Sequence, residues 1–399
     1  MQSILYISYD GMLEPLGQSQ VLAYLEKLAP GRSIHLMSFE KPADWADQDR
    51  RRLMKERLKA SDIRWYPRRY HKSPSAPATA FDVIVGSIQA IGIARSHSIT
   101  IVHARSYVAG LMALAAKRST GAKFLFDMRG FWADERVDGG LWPRGGRLYR
   151  AAKRVERSLL LAADHIVTLT QASKAELKRF DYLAEVTTPI TVIPTCADLE
   201  RFGIQGPPQR TPLVLGYLGA AGTWYLFDEA LQLFRAVRNE RADARLLIVN
   251  RNEHAFIRDR LSALDVPMEA VELVSADHGA VPAQIARMSA GLAIIKPAYS
   301  KMASAATKLA ELLGCGVPCV GTDIGDMAPQ LEDNKVGVII RDFSGKGYAK
   351  AARDVIALVA EDGLQKRCRA VAETLFSLDD GVNSYASIYR SMGPGAGTP

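Results

Sequence analysis

Apolar positions along this 399-residue chain alternate between two periods. Short continuous apolar runs at 4–8, 34–39, 99–103, 123–127 and 165–169 have the length and composition of strands buried on both faces. Between them, apolar residues recur at spacings of three and four over 18–29, 81–95, 107–119 and 148–163, which predicts helices packed by one face. A second series of strands is predicted at 213–218, 245–249, 271–273, 292–295, 319–321 and 337–340, with helical segments between. Strands that alternate with helices make right-handed βαβ units and parallel sheets. The expected fold class is α/β: two Rossmann-like, doubly wound parallel-sheet domains, at 1–195 and 213–375. Residues 196–212 are the expected linker, because GIQGPPQRTP is dense in Gly and Pro. A last helical stripe, Val382, Tyr385, Ile388 and Tyr389, predicts a terminal helix at 376–392, and the Gly/Pro-rich end at 393–399 is expected to lack order.

One segment of the second half carries most of the chemistry. In LAIIKPAYSKMASAATKLAELLGCGVPCVG, residues 292–321, a strand ends at Lys296-Pro297. A polar loop then leads through Ser304 and Thr307 into a helix striped by Leu309, Leu312 and Leu313. Free amides and the positive dipole end at the start of that helix favour an anion, phosphate above all. Lys296, Lys301 and Lys308 can surround a diphosphate, and Glu311, one turn into the helix, can accept hydrogen bonds from two neighbouring hydroxyls such as those of a ribose. The competing reading is an ordinary strand-to-helix turn with solvated lysines.

Loops at the predicted strand ends of the first half belong to a ligand site if the sheets are doubly wound. Gly17 permits close backbone approach after the first strand, and Gln18 offers its amide at a helix start. The loop Asp127-Met128-Arg129-Gly130-Phe131-Trp132-Ala133-Asp134-Glu135 gathers carboxylates, an arginine and an indole where a core gains nothing from them. With His103 and Arg105 from the preceding strand end, Asp127, Trp132, Asp134 and Glu135 suit a sugar-like ligand: carboxylates for hydroxyls, an indole to stack on a pyranose face. An internal salt-bridge cluster is the alternative. After the first strand of the second domain, Gly219 and Thr223 can present backbone donors.

Charge narrows the partners. The net charge is +8, and residues 1–200 hold 29 Lys+Arg against 21 Asp+Glu while residues 201–399 hold 22 of each, so the surplus lies in the first half. Two basic stretches stand out: 50–72, with its Trp65-Tyr66-Pro67-Arg68-Arg69-Tyr70 mixture, and the arginines at 144, 147, 150, 154 and 157 at helical spacing. Both suit an anionic membrane surface as well as a solvated face. No run is expected to reach the roughly 20 apolar residues of a membrane span. The start, MQSILYISYDG, lacks an export signal, which makes the cytoplasm the expected location. Cys196, Cys315, Cys319 and Cys368 lack paired spacing and suggest small core residues rather than disulfides or zinc ligands.

The segment at 296–321 resembles the donor-binding motif of the retaining glycosyltransferases of family 4, group 1, of polysaccharide-biosynthesis type. In that family two glutamates eight residues apart precede a small-residue turn; Glu311 matches the second, and Ala303 stands where the first belongs. Ile193-Pro194-Thr195-Cys196-Ala197-Asp198 resembles the family's strand-exit motif, and Arg129 falls where many relatives place a histidine facing the donor sugar. The resemblance implies a GT-B fold, with two domains facing across a cleft and the terminal helix crossing back to the first. It implies a metal-independent hexosyltransferase without cofactor that moves sugar from a nucleotide diphosphate sugar to a saccharide or lipid-linked acceptor in cell-surface polysaccharide assembly. Catalysis then falls to Arg129, Lys301 and Lys308, the acceptor to His103, Arg105, Asp127, Trp132, Asp134 and Glu135, and the basic faces would let a cytoplasmic protein sit peripherally on the inner face of the cell membrane.

Three other readings stand beside it. A nucleotide-sugar epimerase of the same fold is one. A dinucleotide-dependent dehydrogenase fits poorly, since Gly216, Gly219 and Gly222 have G-x2-G-x2-G spacing and the next strand ends at Asn250. A nucleic-acid-binding protein would lack a recognition motif, so no nucleic-acid partner is expected.

Overall fold

The computed structural model describes residues 2–71, 73–277 and 279–393. Lys72 and the end at 394–399, for which disorder is expected, lie outside the described residues. The chain divides into two compact units, one formed by Met1–Pro194 with the segment from Leu378 onward, the other by Thr195–Ser377.

The first unit holds β1 Gln2–Ser8, β2 Arg32–Glu40, β3 Ile63–Arg69, β4 Ile101–Arg105, β5 Lys123–Asp127, β6 His165–Thr168 and β7 Ile190–Val192, all parallel, in the order β3-β2-β1-β4-β5-β6-β7. The second holds β8 Val214–Leu218, β9 Arg245–Val249, β10 Val271–Val274, β11 Ala290–Ala293, β12 Cys319–Thr322 and β13 Gly337–Ile340, in the order β10-β9-β8-β11-β12-β13. Each order runs outward from its first strand and then reverses. This creates one switch point between β1 and β4 and another between β8 and β11, where the carboxyl ends of neighbouring strands lead to helices on opposite faces. These are GT-B-type Rossmann units, and their central strands are buried because helices cover both faces.

Several local expectations change. Two strands were hidden. β3 runs through the basic, aromatic stretch assigned to a lipid interface, and its aromatics turn inward: Trp65 Nε1 donates to Ser38 Oγ at 2.8 Å, and the Tyr66 hydroxyl lies 3.1 Å from both His35 and His97. Proline at 67 is tolerated because β3 is an edge strand. β7 is short and only half-buried, so it left no apolar run.

The helix expected at 81–95 spans Ser75–Ser96; Pro77 sits in its first turn, where a missing amide costs nothing. Only Asp82 and Arg95 are charged within it, so it is long and apolar enough by length and composition to cross a membrane, against the expectation that no segment is.

Nor does a helix begin at Gln18. Helical backbone starts at Pro15, so the Gln18 amide already donates to Glu14 O at 3.0 Å. A Cβ on Gly17 would fall 2.0 Å from Gly11 O. That glycine lets the loop fold closely on itself.

The helix Leu378–Ser391 docks on the first unit by Val382, Tyr385, Ile388 and Tyr389, all buried. Its polar anchors are a 2.7 Å hydrogen bond between the Tyr389 hydroxyl and His103 Nδ1, and the Tyr385 hydroxyl donating to Asp127 Oδ2 at 3.1 Å. Tyr389→Phe is expected to lower the stability of the first unit by about 1–2 kcal/mol, because it leaves a buried ring nitrogen unpaired. Denaturant midpoints for the two proteins measure this, and equal midpoints would count against the anchor.

Candidate functional site

The switch point of the second sheet is built from the loops after β8 and β11. They are stitched together: Tyr225 bridges Ile295, Leu226 N donates to Ile294 O at 3.0 Å and Lys296 N to Trp224 O at 2.9 Å. Thr322, at the end of β12, closes the third side, its hydroxyl donating to Ile295 O at 2.7 Å and accepting from Ile295 N at 3.1 Å. A 3-10 turn, Tyr299–Ala303, then leads to the helix Thr307–Gly314, whose N-cap residue Ala306 offers no side-chain cap. The first amides of any helix lack intrahelical acceptors, so this end keeps the anion preference expected of it.

At its other end the helix is pinned. Arg369 donates to Leu199 O, Phe202 O and Gly314 O at 2.8, 2.9 and 3.1 Å, placing a cation on the negative dipole end. Gly314 permits that approach, since a Cβ there would lie 2.8 Å from Phe202 O. The start of the segment is held as well, by Thr195 Oγ1 donating to Ala305 O at 2.9 Å.

Lys308 and Glu311 form the electrostatic centre. The Lys308 ammonium is buried 3.8 Å from the Tyr225 ring centroid and 5.1 Å from that of Tyr217, and among the described residues it finds no hydrogen-bond acceptor. Burial lowers its pKa to about 8, so it remains a cation at neutral pH while lacking the oxygen it needs. Burial likewise raises Glu311 to about 7, against the pull of Lys308 and Arg201. Lys301 lies 4.0 Å over the Trp224 ring; Ser304 and Thr307 are half-buried beside it in sequence, and Lys296 is exposed.

The aromatic floor of Tyr217, Trp224 and Tyr225 escaped the sequence reading, although Trp224-Tyr225 directly follows the glycine turn and was a visible signal. The loop after β8 also differs from expectation. Gly219 N is paired with Val249 O at 2.9 Å, and Ala221 N with Glu253 Oε2 at 2.8 Å, so these backbone donors are spent on bracing. Thr223 and Gly219 hold left-handed φ of 60° and 84°, strained for the threonine.

In the first unit the structure draws His103, Arg105, Asp127 and Arg129 together at the ends of β4 and β5, but mostly inward. Asp127 is 1% exposed, with Arg129, His103 and Arg105 nitrogens at 3.7, 3.9 and 4.0 Å from Oδ2. Burial raises the Asp127 carboxyl, and Arg129, His103 and Arg105 outweigh it, leaving the pKa below its ordinary value. His103 is equally buried and lies 4.3 Å from the Tyr6 ring, and burial lowers its pKa below the ordinary imidazole value.

Asp134 is buried too, accepting from Tyr149 and Lys153 at 3.0 and 3.1 Å. His103, Asp127 and Asp134, expected at an acceptor, are thus buried with their polar atoms turned to partners inside the unit, as low dielectric requires of buried charge. Trp132 is half-buried, stacked 6.0 Å from Tyr107 and edge-on to Trp142 at 5.3 Å. Arg105 turns to Asp10, 3.3 Å away. Arg129 and Glu135 keep part of their surface, and Arg129 holds a left-handed φ of 60°, strain that clusters at working sites.

A family model, Glycosyltransferase Family 4, matches residues 34–201. That match lies almost wholly within the first unit. No curated protein matches the chain in sequence. Among solved structures, a glycosyltransferase from Rickettsia africae aligns with a TM-score of 0.72 at 15% identity, covering 99% of each chain. Sucrose-phosphate synthase from Thermosynechococcus elongatus aligns at 0.74 and 14%, covering 98% of this chain and 99% of its own. Anabaena HepE, solved with UDP and glucose, aligns at 0.66 and 14%, covering 98% and 100%. These alignments show the GT-B fold, built of two parallel-sheet units.

Glu311 makes stability depend on pH. Its folded pKa of about 7 exceeds the ordinary 4.5, so the folded state binds the extra proton between those values and stability falls as pH rises through that window. Glu311→Gln is expected to flatten the decline, read as urea midpoints at the two ends of the window. An unchanged slope would remove Glu311 as its source.

Proposed function

We propose that the chain is a retaining hexosyltransferase that binds a nucleotide diphosphate sugar at the switch point of the second unit and transfers its sugar to a hydroxyl of a saccharide or lipid-linked acceptor. The observation that carries this reading is the Lys308 ammonium, buried without an acceptor among the described residues at the start of the helix that bears Glu311. A phosphate oxygen there supplies the missing partner, and Lys301, Lys296 and the helix amides share the rest of the charge. Glu311, half-buried one turn on, suits the ribose diol. The complex of the HepE relative with UDP and glucose supports this choice of ligand class.

The proposed chemistry follows from charge. As the bond from the anomeric carbon to the diphosphate breaks, negative charge grows on the leaving oxygen, and preorganised lysines and amides stabilise it more in the transition state than in the ground state. The acceptor oxygen bonds to the same face of the anomeric carbon, and its proton passes to the departing phosphate oxygen, so no protein base is needed. Lysines in this role stand where other transferases place a metal, and the reading calls for none. On the first unit, Arg129 and Glu135, which keep exposed surface, are the residues assigned to sugar and acceptor. Polysaccharide assembly at the inner face of the cell membrane is the setting this reading favours.

Two measurements test it. Thermal unfolding with UDP-, GDP- and ADP-sugars is expected to show one nucleotide class stabilising the chain, by about 2.7 kcal/mol at roughly 100 times its dissociation constant. Stabilisation by none of them overturns the reading. Lys308→Ala is expected to lower turnover roughly 10²-fold with the fold retained, and an unchanged rate would remove Lys308 from the reaction.

A further inference from the structure

The helix Ser75–Ser96 is amphipathic the wrong way round. Its buried positions are Ala78, Asp82, Gly86, Ala90, Ile93 and Ala94, mostly small residues that let it lie close against the helix Ser106–Thr120, with Gly86 against Met112. Its large apolar residues point outward: Phe81 is 53% exposed, Ile84 61% and Ile88 67%. These three fall at intervals of three and four, one face about 10 Å long at 1.5 Å per residue. Asp82, the helix's one acid, is turned inward, paired with His71 Nδ1 at 2.5 Å and accepting from the Tyr9 hydroxyl at 2.8 Å. The outward face thus carries no negative charge, while its three large side chains meet water.

What covers it follows from its surroundings. Phe81 meets His71 edge-on at 5.3 Å, and His71 continues directly from Tyr70 and the basic end of β3. Arg68 and Arg69 there line, with Trp45 and Arg51, a hollow of about 480 Å³. The same corner holds Tyr9, packed 5.2 Å from Tyr70, beside Asp10, the partner of Arg105. An apolar ridge next to a cluster of arginines matches the two layers of an anionic bilayer surface, acyl chains for the ridge and headgroups for the guanidiniums. A ridge one helix face wide is small for a stable protein–protein contact, which needs on the order of 1,000 Å² or more. Although the helix is long enough to span, its small-residue face is occupied by packing, which leaves the other face to lie in the membrane plane.

We propose that Phe81, Ile84 and Ile88 form a membrane-docking ridge that, with Arg51, Arg68 and Arg69, holds the first unit on an anionic lipid surface. Its purpose rests on the transferase reading, in which a lipid-linked acceptor is presented there; the docking itself does not.

The test is cosedimentation of the full chain with vesicles of mixed phosphatidylcholine and phosphatidylglycerol, and of phosphatidylcholine alone. The chain is expected to pellet with the mixed vesicles, more weakly as salt screens the arginines. The double change Ile84→Glu with Ile88→Glu is expected to weaken binding about tenfold or more, whereas Ile84→Leu with Ile88→Leu retains it. Thermal unfolding and nucleotide-sugar binding of both variants check the fold and the donor site separately, so loss of donor binding in the parent chain would sink the transferase reading and leave docking standing. Absence of vesicle binding by the parent chain overturns the ridge, as does equal binding by the glutamate variant. So does self-association, seen by sedimentation velocity, that the glutamate variant abolishes while vesicles never bind.

Discussion

The Lys308 ammonium rests on the rings of Tyr225 and Tyr217 and finds no acceptor among the described residues; much of the second unit's organisation around its switch point keeps it there. Stitching between Tyr225 and Ile295 holds the aromatic wall, Thr322 closes the strand end, and Arg369 fixes the far end of the helix that carries the lysine. Each of these contacts costs the chain little, but together they hold a charge in a place where it is poorly solvated. An anion would relieve that cost, and Glu311, itself pushed towards neutrality by burial, leaves the local field positive enough to attract one.

The first unit solves the opposite problem. Its switch point gathers two arginines and a histidine around one aspartate, and Asp127 answers all of them. The tyrosines of the returning helix close the cluster from above, so residues that carry chemistry in isolation become the polar anchor of a terminal helix. Arg129, in a left-handed backbone and still partly exposed, is the member of the cluster left able to act outward.

Much of the fold was legible because parallel strands buried on both faces leave continuous apolar runs; β5, β9 and β13 stand where those runs place them. Elements without that burial were not legible. β3 is an edge strand of arginines and aromatics, and β7 is short and half-buried, so each looks like loop or surface until its neighbour's hydrogen bonds are seen. The start of the helix Ser75–Ser96 was hidden for another reason, since Pro74 and Pro77 punctuate a sequence whose backbone nonetheless becomes helical.

Sequence alone determined the alternation of strand and helix, the two-unit plan, and the cationic loop ending at Glu311, because these depend on local period and spacing. Tertiary structure decided which charges face inward. Asp127, His103 and Asp134 share residue type with side chains that remain exposed, and their partners Tyr385, Tyr389 and Lys153 come from distant parts of the chain. The outward turn of Phe81, Ile84 and Ile88 was equally invisible, because hydrophobicity says that a residue leaves water but not which surface it leaves water for.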